Sequence, residues 1–162
     1  MSWSKAMKNL RDVVMDRIGS KGSKGDVLFT FRLSILETDG FWRLDSNGFV
    51  YADTSQADAE QMPNTVFGLG GFLDDEDQPI IGIAGNTPDG QLVWFTFTLD
   101  NYLIAGPWPA SQMNVVTLGP GGANTYISWS GNNCYLEWGP YFQIMLGGTE
   151  KNDNNSFFIT SC

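Results

Sequence analysis

The segment Asp100-Asn101-Tyr102-Leu103-Ile104-Ala105-Gly106-Pro107-Trp108 places two aromatic rings near a carboxylate and an amide. Aromatic faces stack on sugar rings and hold quaternary ammonium groups by cation–π attraction, while Asp and Asn side chains fix hydroxyls. Tyr102 and Trp108 are therefore candidate binding rings, with ordinary inter-strand packing as the alternative use of each. Trp94 joins them as an aromatic expected on the solvent side of its strand. The chain holds six Trp, five Tyr and eleven Phe, and many of the Phe belong to the core by alternation.

Other chemistries find no residues to carry them. There is no histidine, which removes the Ser-His-Asp triad, the Cys-His dyad and imidazole metal sites. Asp74-Asp75-Glu76-Asp77 lacks the alternating ligands and glycine of a calcium loop and reads as a solvated acidic turn. Gly68-Leu69-Gly70-Gly71 and Gly119-Pro120-Gly121-Gly122 lack the third glycine of a dinucleotide fingerprint, the phosphate-loop lysine and a following helix. The acids outside residues 1–24 are scattered, and no pair stands out for glycoside hydrolysis. The expectation is a protein without catalysis, metal or cofactor.

These side chains must be positioned by strands. From Asp26 onward the apolar period is two: Val27, Phe29, Phe31, Leu33 and Ile35 alternate with Thr30, Arg32 and Ser34. Val93, Phe95, Phe97 and Leu99 repeat the pattern against Trp94, Thr96 and Thr98, and Phe157 and Ile159 close the chain similarly. Shorter β-rich runs lie between, separated by turn signals such as Asp39-Gly40, Asn47-Gly48, Pro88-Asp89-Gly90 and Pro120-Gly121-Gly122. The spacing predicts an all-β domain over 26–162, an antiparallel β-sandwich of about ten strands.

Residues 1–25 differ in kind. Trp3, Ala6, Met7, Leu10, Val13, Val14 and Ile18 recur at helical spacing with Lys5, Lys8, Arg11 and Asp12 on the other face. An N-terminal amphipathic helix is predicted over 3–18, followed by the flexible composition Gly19-Ser20-Lys21-Gly22-Ser23-Lys24-Gly25. Residues 1–24 hold six basic side chains and two acids, whereas residues 25–162 hold three basic side chains and sixteen acids. So acidic a body repels phosphate backbones, and nucleic acid is not an expected partner. No signal-peptide h-region is expected in the basic head, and no apolar run approaches the ~18–20 residues that span a bilayer. The stripe of Trp3, Met7, Leu10, Val14 and Ile18 suits either a membrane interface or a protein partner.

The run Asp89-Gly90-Gln91-Leu92-Val93-Trp94-Phe95-Thr96-Phe97-Thr98-Leu99-Asp100-Asn101-Tyr102 resembles the central strand and following loop of the actinoporin-like superfamily, which includes pore-forming cytolysins and fungal fruit-body lectins. Phe29-Thr30-Phe31-Arg32-Leu33 is similar to the lectins' first strand, and Asn64-Thr65-Val66-Phe67-Gly68-Leu69-Gly70-Gly71 to the segment before their Gly-Gly-Ser-Gly loop. The resemblance implies a β-sandwich and carries Ala52, Asp100 and Asn101 over as sugar-site positions. It departs from the lectins where Phe72-Leu73 replaces Ser-Gly, and from the cytolysins in its acidic body.

These observations lead to three expectations. The first is membrane or glycan recognition by the sandwich, with the helix as a membrane-active arm of a pore-forming cytolysin. The second is a lectin without pore formation. The third is a self-associating virion or filament subunit, in which the helix docks on a neighbour's acidic body. Cys134 and Cys162 are expected to be free thiols.

Overall fold

A computed structural model describes residues 26–73, 76–106, 113–129 and 132–162. The predicted helix 3–18 (Trp3, Met7, Leu10, Val14, Ile18), its linker, Asp74-Asp75 and Trp108 lie outside the described residues. The described chain is all-β and antiparallel. Its strands are β1 (Asp26–Leu36), β2 (Asp39–Leu44), β3 (Val50–Thr54), β4 (Phe67–Leu73), β5 (Pro79–Asn86), β6 (Leu92–Phe97), β7 (Leu103–Gly106), β8 (Met113–Thr117), β9 (Thr125–Trp129), β10 (Cys134–Trp138), β11 (Ile144–Leu146) and β12 (Phe158–Ser161). About ten strands were expected, and twelve are formed among the described residues. The run Leu103–Gly106, read from sequence as part of a binding segment, forms the additional strand β7 at the end of the larger sheet.

The strands make two sheets in a sandwich-like arrangement. The larger runs β3-β2-β1-β4-β5-β6-β7, with β12 also on β1, and the smaller runs β11-β10-β9-β8. β1 organises the larger sheet. Phe31 is opposite both Ser161 and Phe67, and Ser34 is opposite both Phe158 and Phe41. β12 therefore occupies one edge of β1, while β4 and β2 share the other edge end to end. The sheets are stitched by single bridges, Thr125 to Phe157, Tyr51 to Gln143 and Tyr102 to Met145. Between them lies one core, with Phe31, Leu33, Trp42, Phe67, Phe95 and Phe157 from the larger sheet against Met113, Val115, Ile127, Leu136 and Ile144 from the smaller.

Alternation accounts for Phe31, Leu33, Phe95, Phe157 and Ile159, all buried. It fails at two places that bear on binding. Leu99, expected inside, is fully exposed, because β6 ends at Phe97 and the chain reverses from Thr98 to Tyr102 with Asn101 N–H bonded to Thr98 O at 2.9 Å. Trp94, expected as a solvent-facing ring, is buried, so it offers no open stacking face.

A short helix α1 (Gln56–Ala59) and a single turn at Pro63–Thr65 pack on β2, and the turn also packs on β5. Ser55 caps α1 by accepting from Asp58 N–H. The Asn64 side chain donates to Leu44 O at 2.7 Å, and Thr65 Oγ1 donates to Ala59 O at 2.6 Å. These bonds satisfy buried polar groups and hold α1 beside β2.

Asn155 does the same for the Asn-rich turn before β12. Fully buried, it donates from Nδ2 to Glu150 O at 2.8 Å and accepts Asn152 N–H on Oδ1 at 2.8 Å. Asn155→Ala leaves two backbone groups without these partners and is expected to lower stability by about 1–3 kcal/mol. Urea unfolding measures it, and a change under a few tenths of a kcal/mol contradicts this role for the turn.

Both cysteines are free thiols, Cys134 half-buried and Cys162 exposed. Thiol titration of the native protein is expected to modify Cys162 first. Equal rates would contradict the difference in exposure.

Candidate functional site

Asp53 sits in β3 at an irregularity of pairing. Phe41 is opposite Thr54 and Trp42 is opposite Ala52, so Asp53 is the extra residue of a β-bulge. A bulge re-aims the side chain it carries. The Asp53 carboxylate accepts two bonds from one guanidinium, from Arg43 Nε at 2.7 Å and Arg43 Nη2 at 2.9 Å. The guanidinium also lies 5.0 Å from the ring centroid of Tyr51, a cation–π contact. The hydrogen bond to Asp53 raises the Arg43 pKa above its ordinary value, with burial opposing. A raised folded-state value gives a contribution that is complete below the ordinary arginine range and is lost only at still higher pH. Arg43 therefore adds no pH dependence near neutrality. With both side chains about a third exposed, it contributes at most about 1 kcal/mol to folding. Its consequence is geometric: Asp53 and Arg43 are locked in one arrangement.

Two cavities adjoin at Asp53. One, an open hollow of about 410 Å³ between β3 and α1, is lined by Arg43, Asp53, Thr54, Ser55, Asp58, Gln61 and Met62. The other, of about 230 Å³, is walled by Ile35 and Leu36 at the end of β1, by Asp39 and Gly40 of the turn into β2, by Ala52 and Asp53, and by Phe142. Gly40 has φ +71°, and a Cβ there would stand 3.1 Å from Ile35 Cβ, so glycine permits the tight turn that forms this wall. Asp39 accepts the Gly40 N–H at 2.9 Å, leaving its second oxygen free of that bond.

Phe142 arrives from the turn Pro140–Phe142 between β10 and β11. Tyr141 and Phe142 both hold positive φ, 58° and 59°, a region that aromatic residues seldom occupy and that costs roughly 1–3 kcal/mol each. The conformation is held by Gly139 N–H to Gln143 O at 2.9 Å and Phe142 N–H to Gly139 O at 3.0 Å. Trp138 packs its ring 5.5 Å from that of Phe142. The result is a rim with Phe142 47% exposed and Leu36 59% exposed beside Asp39 and Asp53, next to the 89% exposed Tyr141 in the chain. Aromatic and aliphatic surface on one side and acceptor oxygens on the other is an arrangement for a ligand with an apolar face and donor groups. Among the described residues no three His, Cys, Asp or Glu side chains are grouped to hold a metal ion.

The structure separates the residues proposed from sequence. Ala52 lies in this groove but is 1% exposed, so it contributes to the floor and reaches no ligand with its side chain. Asp100 and Asn101 are exposed in the β6–β7 turn, where Asn101 has φ +68° and its carbonyl accepts Leu146 N–H at 2.7 Å. Asn101 thus serves the turn and the joint to β11. Tyr102 is half-buried and bridges Met145. None of these three lines the groove. Asp39, Arg43, Asp53 and Phe142 were not singled out from sequence. The signal for Phe142 is present in Gly139-Pro140-Tyr141-Phe142, a turn pair followed by two large rings.

No family model matches the chain, and no curated protein sequence matches it either.

Proposed function

We propose that this chain is a non-enzymatic, sandwich-like recognition protein whose groove around Asp53 binds a saccharide. The observation that carries the reading is Phe142, held in left-handed backbone over a pocket walled by Asp39 and Asp53. A pyranose would lay its C–H face on the exposed ring and donate hydroxyls to the carboxylates, with Arg43 fixed by its bidentate pair. The acidic rim disfavours sulfated or phosphorylated sugars and favours neutral or amino sugars. Glycan recognition is also what the resemblance to fruit-body lectins implies, although the groove uses other residues than the carried-over Asp100 and Asn101. Pore formation and subunit assembly draw on residues 3–18, and no described residue favours either.

The test is a glycan array followed by calorimetric titration of the retained neutral or amino sugar. Phe142→Ala is expected to weaken binding by roughly ten- to a hundredfold, the equivalent of ~1.5–3 kcal/mol for covering a large side chain. Retention of no glycan by the full chain would remove the reading, as would equal affinity of the Phe142→Ala protein.

A further inference from the structure

The groove carries a charge that the described chain does not balance. Residues 37–60, which supply most of its polar wall, contain Glu37, Asp39, Asp45, Asp53, Asp58 and Glu60 against Arg43 alone. Arg43 is committed to Asp53. The other two basic side chains among the described residues are engaged elsewhere, Arg32 on Thr65 and Lys151 against the ring of Tyr126. Asp39 and Asp58 have no cationic partner among the described residues. Beside Asp39 stand the exposed apolar side chains Leu36 and Phe142. An acidic wall next to an apolar rim is the complement of a segment with a basic face and an apolar stripe.

This chain contains one such segment. Residues 3–18 carry Lys5, Lys8, Arg11 and Arg17 together with Trp3, Met7, Leu10, Val14 and Ile18 at helical spacing. We infer that residues 3–18 dock on the Asp39–Asp53–Phe142 groove of their own chain, apolar stripe on Leu36 and Phe142, basic side chains toward Asp39 and Asp58. The tether permits it. The seven residues Gly19–Gly25 reach up to about 25 Å when extended. Sixteen residues in a helix add about 24 Å. The strand β1, from the tether's end at Asp26 to the groove wall at Leu36, covers about 33 Å. Tether and helix together exceed the length of β1, so the leading end, with Trp3, Lys5 and Met7, is long enough to reach the groove. A short flexible tether also keeps the segment at a local concentration in the millimolar range, which favours its own groove over a neighbour's. The inference needs only charge, apolar surface and reach; a segment docked there covers Phe142, so on the saccharide reading sugar and segment compete for the groove.

Zero-length carbodiimide cross-linking of the full chain, read by peptide mass spectrometry of the monomer, tests it without any sugar. The expected products join Lys5 or Lys8 to Asp39 or Asp58. The double variant Met7→Ser, Leu10→Ser keeps every charge and is expected to lower their yield several-fold. Cross-links from Lys5 and Lys8 only to acids away from the groove, or unchanged yield in the double variant, would overturn the docking. Cross-links to Asp39 or Asp58 found only in dimers would overturn the intramolecular form and place the segment on a second copy. Exclusive recovery of the segment on vesicles, with no groove cross-links before they are added, would assign it to lipid.

Discussion

Replacing Trp42 by alanine is expected to lower the unfolding free energy by about 3–5 kcal/mol, the largest single side-chain effect among the described residues. Trp42 is among the largest fully buried side chains and belongs to the single core cluster. Its ring meets Phe67 edge-on at 5.8 Å and Phe157 edge-on at 5.0 Å, geometry that adds to the area buried. Phe157 is the residue through which the last strand is bridged to Thr125 of the smaller sheet. Truncation at 42 therefore opens a cavity where β2, β4 and the chain's end meet. Trp42→Phe keeps most of that volume. It also removes an indole N–H that is buried without a hydrogen-bond partner, so its effect is expected to be less than half as large. Urea unfolding of the two variants, with unchanged slope, checks the pair. A Trp42→Ala loss below about 1 kcal/mol would contradict the placement of this ring at the centre of the core.

Gly122→Ala is expected to destabilise by roughly 3 kcal/mol or more, while its neighbour Gly121→Ala is expected to cost only about 1–2 kcal/mol. Both glycines hold positive φ, 84° and 65°, so both substitutions strain the backbone. They differ in space. A Cβ at Gly121 meets nothing within 4 Å, whereas one at Gly122 overlaps the carbonyl oxygen of Ile159. That oxygen belongs to β12, whose Ile159 pairs with Leu33 of β1. Backbone cannot swing aside as a side chain can, so β12 must leave its register or the turn must rebuild. The Gly122 carbonyl also accepts the Thr125 hydroxyl at 3.0 Å, and that bond is lost with the turn. Thermal unfolding of the two single variants separates the effects. Equal shifts would mean that φ alone decides and that the approach to β12 is not close.

The strands were legible because burial in a pleated sheet writes a period of two into the sequence. Phe31, Leu33, Phe95, Phe157 and Ile159 are where that period puts them. Leu99 was misplaced because alternation carries no mark of where a strand stops. The end is set by the backbone reversal at Thr98–Tyr102. The groove was less legible still. Asp53 faces it because one strand carries an extra residue relative to its neighbour, a relation between two segments that neither sequence records alone. Phe142 is presented by left-handed backbone, which Asn or Gly advertises and Phe does not. The Asp100-Asn101-Tyr102 run drew attention as polar and aromatic residues in a turn, and Asn101 and Tyr102 are accounted for by the turn and its joint to β11.

The central claim, that ligand is held at the Asp53 groove, is tested most directly by mapping amide chemical shifts of the full chain during titration with the sugar selected on the array. The expected changes fall on Leu36, Asp39, Gly40, Asp53 and the Gly139–Gln143 turn, and they vanish in Phe142→Ala at the same sugar concentration. Changes confined to Asp100, Asn101 and Tyr102, with the groove amides unmoved, would contradict it and return the site to the turn that the lectin resemblance designates.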